Sequence, residues 1–337
     1  INKLKEVTFQ KDMGTIYDKI TRSKKIAEYL ISELELENKK EDILRTVELA
    51  KADLVSNIIS EKEFTKLQGF MGSVYAEKQG ENKNVALGVF EHYLPRYQGD
   101  RLPVTAEGAI AGIADKMDTV TGCFAVGLKP TSSKDPYALR RAVQGIVQVA
   151  LNSKLQLDFK NLVEKSYEIF ASDRKVMSDN VINDIIELFK QRIANVLSEN
   201  YSKDLISYEI DLESNLVKLE NRLSVLKKLS MTESFETLIN LLKRVKNIVK
   251  DISYEIPVSE ELFEKQEEKA LFNLGIELEK LESEEFSKYV EALLENENII
   301  NSYFDNVIIN SEDQKIKSNR IGTLKKIENS IDKVIKI

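Results

Sequence analysis

Glycine and proline, the residues that most often end helices, are placed very unevenly along this chain. Most of its thirteen glycines lie between Gly69 and Gly145. The same region holds four of the five prolines, namely Pro95, Pro103, Pro130 and Pro136. From residue 146 to residue 256 the chain contains neither, and such a stretch predicts long helices. We therefore expect a loop-bearing helical domain at residues 1–152 and a simpler helical domain at residues 153–337.

The second part of the chain has apolar residues at helical spacing. The predicted buried stripe consists of Phe235, Leu238, Ile239, Leu242, Val245 and Val249. Lys243, Lys246 and Lys250 flank this stripe, either as a solvated helix edge or as a face that contacts phosphates. Strand signals are weak everywhere, and the best of them, at residues 307–309, is short and isolated. The fold class that we predict is all-α.

Composition excludes several classes of protein. No apolar run approaches the roughly 18 residues that a membrane span needs, so we expect no membrane association. The chain starts at Ile1 without an initiator methionine or a signal-peptide pattern, and we expect it to be a piece of a longer chain. Its one cysteine, Cys123, lies in a small apolar run, which predicts a buried structural thiol, and this cysteine usage is compatible with the reducing cytoplasm where we expect the protein.

The distribution of charge indicates how the chain can meet a polyanion. The formal net charge of −7 argues against general affinity for nucleic acid. However, the stretch from Glu255 to Glu297 is dominated by glutamate, whereas the stretch from Lys315 to Lys336 is mostly basic. This pattern favours contact with a polyanion at chosen points.

Two acids and a histidine on separate predicted helices form a candidate metal site. Asp53, His92 and Asp115 have a spacing that resembles the HD superfamily of helical phosphohydrolases, whose metal ligands run His, His-Asp, Asp. At two of those positions Arg22 and Ala52 replace the expected imidazoles. Because too few imidazole ligands remain, we predict a vestigial HD-like pocket without a catalytic metal, formed by Arg22, Asp53, His92 and Asp115. The guanidinium of Arg22 is expected to pair with Asp53 or Asp115.

Four contiguous motifs give a more specific resemblance. They are Leu67-Gln-Gly with Met71-Gly before Tyr75-Ala, then Glu91-His-Tyr-Leu-Pro-Arg96, then Ala114-Asp-Lys-Met-Asp-Thr119 with Gly122-Cys-Phe and Gly127, and Lys134-Asp-Pro-Tyr-Ala-Leu-Arg-Arg141. In this order they resemble the β subunit of the bacterial two-subunit glycyl-tRNA synthetase. In the last motif Asp135-Pro136 reads as a helix start, with Asp135 as the N-cap. Because Arg140 and Arg141 are adjacent, we expect them to point to different faces.

A weaker resemblance covers the rest of the chain. Lys243-Arg-Val-Lys-Asn-Ile248 is similar to another motif of the same family. Tyr303-Phe-Asp-Asn-Val307, Asp313 and Asn319-Arg-Ile321 resemble the end of the helical anticodon-binding domain shared with arginyl-tRNA synthetase. The resemblance therefore implies a degenerate HD-like domain followed by an anticodon-binding-like domain, which together are the C-terminal half of a β subunit.

The family resemblance implies a function in the charging of glycine tRNA. In this family the α subunit carries the ATP- and Mg²⁺-dependent active site, and the β subunit is needed for tRNA recognition. We therefore expect this chain to bind glycine tRNA and the α subunit within an α2β2 enzyme, to hold no cofactor, and to lack catalytic residues. Two alternatives stay open, a metal-dependent phosphohydrolase and a helical module that binds only protein.

The predicted tRNA contacts lie in both domains. They are Arg320, Asn319, Lys325, Lys326, Lys243, Lys246, Arg140 and Arg141. The planar guanidinium of Arg320 suits a guanine edge or a phosphate, and Tyr303 or Phe304 is a candidate for stacking on an anticodon base. The alternative is that Phe304 belongs to the core and that Arg320 pairs with Asp305 or Asp313.

Overall fold

The computed structural model is built almost entirely of α-helices, so the predicted all-α class is confirmed. It describes the whole chain except residues 57, 58, 60, 61, 132, 253, 255, 282–285 and 333–337, and except the side chains of 62–64, 233–235, 237, 238 and 331. The chain divides into two compact units. The first comprises Ile1–Glu199 and Ser214–Lys218, and the second comprises Asn200–Glu213 and Leu219–Ile337. Among the described residues no helix is long and apolar enough to cross a membrane.

The first unit opens with a hairpin and continues as a bundle of helices. Its strands are β1 (Thr8–Gln10) and β2 (Gly14–Thr15). Its α-helices are α1 (Ile16–Glu33), α2 (Lys40–Leu49), α3 (Phe70–Lys78), α4 (Lys83–Glu91), α5 (Ala106–Ala125), α6 (Leu139–Asn152), α7 (Phe159–Asp173) and α8 (Val181–Leu197). Short 3₁₀ helices occupy Asn2–Lys5, Glu37–Lys39, Ala52–Val55 and Lys62–Leu67.

Helix α5 forms the centre of the first unit. It packs against α1, α2, α4, α6 and α7, and most of its residues are buried. At Gly112 an added Cβ atom would lie 2.8 Å from the carbonyl oxygen of His92, so this glycine lets the neighbouring backbone approach closely. The Cys123 side chain lies here and is completely buried, which confirms the predicted structural thiol. Burial raises the pKa of this thiol to about 12.

The turns after α6 are made without glycine or proline. Lys154 and Asn180 adopt positive φ angles of 51° and 57°, a conformation that non-glycine residues rarely take. The side chains of Asp158 and Ser202 then cap the helices that follow them. The predicted division at residue 152 does not coincide with the division into compact units, because α7 and α8 pack on α5 and α6.

The second unit consists of helices too, and the described residues of its predicted stripe are buried or, at Ile239, half-buried. Its α-helices are α9 (Lys203–Glu209), α10 (Leu216–Leu229, from Leu219 onward), α11 (Glu233–Val249), α12 (Gln266–Leu281), α13 (Phe286–Glu295), α14 (Glu297–Asn306) and α15 (Gln314–Asp332), with a 3₁₀ helix at Glu260–Leu262. Leu242, Val245 and Val249 are buried, whereas the side chains of Phe235 and Leu238 lie outside the described residues. The weak strand signal at residues 307–309 forms no strand.

Candidate functional site

Two residues of the predicted vestigial pocket, His92 and Asp115, lie on either side of a lysine inside the first unit. Asp53 lies on the 3₁₀ helix after α2, His92 directly follows α4, and Asp115 lies on α5. The Nζ atom of Lys51 is 3.1 Å from Asp115 Oδ2 and 3.1 Å from His92 Nε2. It also lies 3.9 Å from the centre of the Tyr93 ring. A built-in ammonium group therefore holds the position that a metal ion would need.

The hydrogen bonds of His92 define its tautomer. Its Nδ1 atom is 2.6 Å from the carbonyl oxygen of Val89, so this nitrogen must carry the proton and donate it. Nε2 is then the acceptor for the ammonium group of Lys51. Burial, together with the charge of Lys51, holds the pKa of His92 well below its usual value. His92 is thus a neutral residue that ends α4 and accepts from Lys51.

Three lysines surround the carboxylate of Asp115. Besides Lys51, Lys19 lies 3.2 Å from Asp115 Oδ1, and its Nζ donates to the Asp115 carbonyl at 2.6 Å. Burial opposes ionisation of Asp115, but the charges of Lys19 and Lys51 outweigh it and lower the pKa of this carboxyl. Lys116 donates instead to the backbone carbonyls of His92 and Leu94. Burial lowers the pKa of Lys116 to about 8.

The sequence predicts that Arg22 pairs with Asp53 or Asp115, and this prediction is wrong. Its Nε donates to Asp118 Oδ1 at 2.6 Å, and its Nη1 donates to Asp173 Oδ2 at 2.8 Å. The reason is helical register. Arg22 lies one turn after Lys19 on α1, and Asp118 lies one turn after Asp115 on α5. In this register Arg22 lies beside Asp118, whereas Lys19 lies beside Asp115. We call Lys19, Arg22, Lys51, His92, Asp115, Lys116 and Asp118 the buried charge network.

Asp53 has a structural contact with the Leu-Gln-Gly motif. The amide of Gly69 donates to Asp53 Oδ2 at 2.6 Å, and Gly69 has a φ of +78°, which favours glycine. A Cβ atom added to Gly72 would lie 2.9 Å from a methyl of Val89 and 3.3 Å from Asp53. Both glycines are therefore in close contact with neighbouring side chains. Burial raises the pKa of Asp53 despite the bond from Gly69.

The lysines of the buried charge network were not predicted as part of this site. Lys51 stands two residues before Asp53, and Lys116 stands directly after Asp115, so both were visible beside the candidate ligands. A lysine next to a metal-ligand position was a usable signal, because an ammonium group repels the cation that the site would need.

We expect the imidazole of His92 to stay neutral far below its ordinary pKa of 6.5. Since the unfolded chain takes up this proton below about pH 6.5 and the native state does not, stability must fall as the pH falls through that value. His92 is the only histidine, so one imidazole NMR signal reports it. A signal that titrates with a midpoint near 6.5 would contradict the buried geometry. His92→Gln should remove this part of the pH dependence.

A second candidate site is an open groove on the surface of the first unit. Its lining includes Pro95, Asp135 and Ala138, and its volume is about 400 Å³. The side chains that line it are Tyr97, Gln98, Arg140, Arg141, Gln144 and Gln148. We call it the arginine groove. The residues on α6 recur at steps of three and four, so they share one helix face and form one wall. The loop after α4 forms the other wall.

Arg140 and Arg141 both line this groove, and their guanidinium groups contact different neighbours. Arg140 Nη2 donates to the carbonyl of Thr131 at 2.6 Å, and Arg141 Nη1 donates to the carbonyl of Arg96 at 3.2 Å. Both arginines lie in the first turn of α6, beside the loop, and the groove lies between their two directions. Arg141 is exposed and Arg140 is half-buried.

The charge of the groove is positive, although the chain as a whole is acidic. Asp135 is the only acid among the lining residues, and its carboxylate already accepts from the amides of Leu139 and Arg140. Arg192 of α8 lies close to this cluster. Burial and the charge of Arg140 lower its pKa, and its buried Nε has no hydrogen-bond partner among the described residues.

The sequence predicts a helix that begins at Pro136, directly after Asp135, but helix α6 begins three residues later. The carboxylate of Asp135 does cap α6, but the helix begins at Leu139. Ala138 precedes it in the left-handed conformation with a φ of 55°. The side chain of Asp135 reaches across this tight turn, which the motif alone did not reveal.

In the second unit, Arg320 and Asn319 lie inside the structure. Arg320 donates through Nε to Glu268 at 2.5 Å, through Nη2 to Glu264 at 2.7 Å, and through Nη1 to the carbonyl of Ile308 at 2.9 Å. Its partners are therefore not Asp305 or Asp313. Only 5% of its side chain is exposed, so contact with a base would require these bonds to break.

Asn319 binds the backbone of a neighbouring segment. Its Oδ1 accepts from the amide of Ser259 at 2.7 Å, and its Nδ2 donates to the carbonyl of Ser259 at 3.1 Å. One turn later, Gly322 has no side chain to collide with the carbonyl of Ile256. Together Asn319 and Gly322 hold residues 256–259 against α15.

The predicted basic contacts of the second unit lie nearer the surface, and most of them have acidic partners. Lys325 pairs with Glu328, Lys326 with Glu279, and Lys246 with Asp332. Lys243 is exposed on α11. The tail lysines Lys333 and Lys336 lie outside the described residues.

The two aromatic residues proposed for base stacking, Tyr303 and Phe304, differ in their exposure to solvent. Tyr303 is completely buried, and its hydroxyl donates to the carbonyl of Arg320 at 3.2 Å. Phe304 is half-buried, and its ring lies 4.2 Å from the guanidinium of Arg244. Tyr303 therefore belongs to the core.

Comparison with known proteins relates the chain to one family. Residues 1–211 match the family model described as glycyl-tRNA synthetase beta subunit. The glycine–tRNA ligase beta subunit of Trichlorobacter lovleyi is 34% identical over 340 residues, which cover 99% of this chain and 49% of that protein. That of Clostridioides difficile is 33% identical over 346 residues, which cover 97% of this chain and 48% of that protein. The chain thus spans about half the length of the curated relatives that it matches. These similarities show that the chain belongs to the glycyl-tRNA synthetase β-subunit family.

Proposed function

We propose that this chain is the tRNA-recognition portion of a glycine–tRNA ligase β subunit. Its relatives carry the name of that subunit, although the chain covers only about half of their length. In this proposal it supports the ATP-dependent attachment of glycine to its tRNA in the cytoplasm. The active site, with ATP and Mg²⁺, lies on an α subunit within an α2β2 assembly, and this chain contributes no catalytic residue.

The observation that carries the proposal is the arginine groove. A phosphate backbone is bound mainly through arginine and lysine side chains, and local positive charge can provide this on an acidic protein. Here Arg140 and Arg141 hold their guanidinium groups beside an open groove, each fixed by one backbone carbonyl. A planar guanidinium that is already oriented loses little freedom when it binds a phosphate.

The basic side chains of the second unit are proposed as secondary contacts. Lys243 is exposed, and the ion pairs of Lys246, Lys325 and Lys326 are at least partly exposed to solvent. The more exposed pairs of Lys246 and Lys326 contribute roughly 0–1 kcal/mol each, so a phosphate can replace their carboxylates at little cost, whereas Lys325 pairs with the buried carboxylate of Glu328. In contrast, Arg320 and Asn319 are proposed to hold the unit together, and we place no tRNA contact at either.

The alternative of a metal-dependent phosphohydrolase is disfavoured by the buried charge network. Two ammonium groups, of Lys19 and Lys51, already neutralise the carboxylate of Asp115. A divalent ion next to them would be repelled strongly at this distance and burial. A purely protein-binding module remains the competing hypothesis, and tRNA binding distinguishes it from our proposal.

Replacing Arg140 and Arg141 together by alanine should weaken tRNA binding about 10- to 100-fold at moderate salt, because fewer phosphates are neutralised and fewer counterions are released on binding. The slope of log affinity against log salt should become shallower by about 1 for each arginine that contacts a phosphate. Filter-binding titrations with glycine tRNA and a non-cognate tRNA measure both quantities.

The matched control is the double variant Lys25→Ala, Lys165→Ala, which removes the same charge from exposed positions on α1 and α7. It should retain almost all the affinity. If the two double variants lose equal affinity, the arginine groove does not bind the tRNA. If tRNA does not bind the unaltered chain, the module binds only protein.

A further inference from the structure

The volume and the lining side chains of the arginine groove fit a ligand smaller than an RNA duplex. Its volume of about 400 Å³ lies near the lower end of ordinary ligand pockets, which span roughly 300–1,000 Å³. An RNA duplex presents phosphates and hydroxyls to a protein and keeps its bases stacked inside. A groove that served only a duplex would need no aromatic ring or amide side chains beside its arginines.

Tyr97 is an aromatic ring that is exposed yet held in place. The residue is 62% exposed, so its ring is accessible from solvent. The loop that carries it is well supported. The amide of Asp100 donates to the Tyr97 carbonyl, and Lys116 of the buried charge network donates to the Leu94 carbonyl at 3.0 Å. Pro95 packs closely against Gly145 of α6.

Opposite this ring, the wall from α6 offers amides and guanidinium groups. Gln144 and Gln148 follow Arg140 at one and two helical turns, and both are half-buried in the lining. A primary amide both donates and accepts, so it can match the edge of a base. Aromatic stacking plus hydrogen bonds to the edge is how proteins read unpaired nucleotides.

The positive charge around the groove favours an anionic ligand. Arg140 and Arg141 line the groove against the single lining carboxylate, that of Asp135, and Arg192 lies close enough to Arg140 for their charges to interact. The buried Nε of Arg192 has no hydrogen-bond partner among the residues that the structure describes. A buried donor on a charged group is costly when it is left unpaired, and a phosphate close to Arg140 and Arg192 would reduce their mutual repulsion.

The geometry points to a binding site for one unpaired nucleotide, with its base on Tyr97, its base edge at Gln144 and Gln148, and its phosphate at Arg140 and Arg141. This inference rests on the proposed function, because tRNA is the RNA that would supply the nucleotide. It goes further in assigning the groove to a single-stranded position of that RNA and in assigning a reading role to Tyr97 and the two glutamines.

A tryptophan at position 97 tests the inference directly. The chain contains no tryptophan, so Tyr97→Trp introduces a single indole whose fluorescence reports on stacking. We expect a short single-stranded oligoribonucleotide and glycine tRNA to quench it. A blunt RNA duplex and inorganic phosphate should leave it unchanged. Tyr137→Trp is the matched control, because Tyr137 is 38% exposed on the loop before α6 and does not line the groove.

Two substitutions at position 97 separate the ring from its hydroxyl. Tyr97→Ala should weaken binding of the oligoribonucleotide roughly tenfold, as expected when one base no longer stacks on an aromatic ring, whereas Tyr97→Phe should bind nearly as well. Gln144→Ala should change the preference among the four homopolymeric oligonucleotides, with a smaller change in average affinity.

The outcomes distinguish this inference from the proposed function. Equal quenching by duplex and single strand would overturn it, because the groove would then contact only the backbone. If tRNA binds the Tyr97→Trp chain tightly without altering its fluorescence, the inference falls and the proposed function stands. If the oligoribonucleotide quenches Trp fluorescence but no tRNA binds, the proposed function falls and the single-nucleotide site stands.

Discussion

Replacing Arg320 by alanine should destabilise the second unit by about 3 kcal/mol, close to the cost of breaking a buried ion pair by removing one partner. The guanidinium connects α15 to Glu268 on α12, to Glu264 and to the Ile308 carbonyl. Without it, the carboxylate of Glu268, whose side chain is only 2% exposed, loses its cation. Urea unfolding followed by circular dichroism measures the change.

The matched control is Lys326→Ala, which removes a cation from the same helix. The pair between Lys326 and Glu279 is much more exposed, so this variant should lose less than about 1 kcal/mol. If Arg320→Ala instead leaves the unfolding midpoint unchanged and weakens tRNA binding, Arg320 is a nucleotide contact after all. Arg320→Lys, which keeps the positive charge but lacks the several planar N–H donors of the guanidinium group, should be intermediate in stability.

Replacing Lys51 by methionine should destabilise the first unit by about 2–4 kcal/mol. Methionine keeps most of the volume but removes the ammonium group, so His92 Nε2 loses its donor and Asp115 keeps Lys19 as its one ion-pair partner among the described residues. Leaving buried polar groups without partners carries their full desolvation cost. The measurement is again urea unfolding, at a pH where His92 is neutral in both states.

Lys129→Met serves as its control, because Lys129 pairs with Asp184 near the surface and should contribute less than about 1 kcal/mol. Equal effects of the two substitutions would show that Lys51 has no special role. Near-stoichiometric manganese, iron or zinc in the purified chain, found by elemental analysis, would contradict the assignment of this position to Lys51.

The helical class and the chain's family could be predicted from the sequence because both depend on local and contiguous patterns. The absence of glycine and proline from residue 146 to residue 256 predicted helices that the structure contains, and the four motifs identified the family. Helix boundaries were less accessible. The turn at Lys154 uses a residue that rarely takes a positive φ angle, and the turn at Asn180 uses one that takes it more readily but was not predicted as a turn.

The partners of charged side chains could not be predicted, because they depend on the register between helices far apart in the chain. Arg22 was expected beside Asp53 or Asp115 and instead meets Asp118 and Asp173, which lie 96 and 151 residues away. The same reason explains Arg320. Its motif looked like a recognition pair, but the acids that bind it come from α12 and the segment before it, which the motif does not include.

The position of Lys51 has a consequence for how the first unit depends on its surroundings. A bound metal ion stabilises a fold by an amount that changes with the free metal concentration, so such a fold weakens when the metal is scarce. The ammonium group of Lys51 is covalently part of the chain and is present in every copy at the same stoichiometry. Its contribution therefore cannot be diluted, exchanged or removed by a chelator, and only a mutation or a change of pH can alter it.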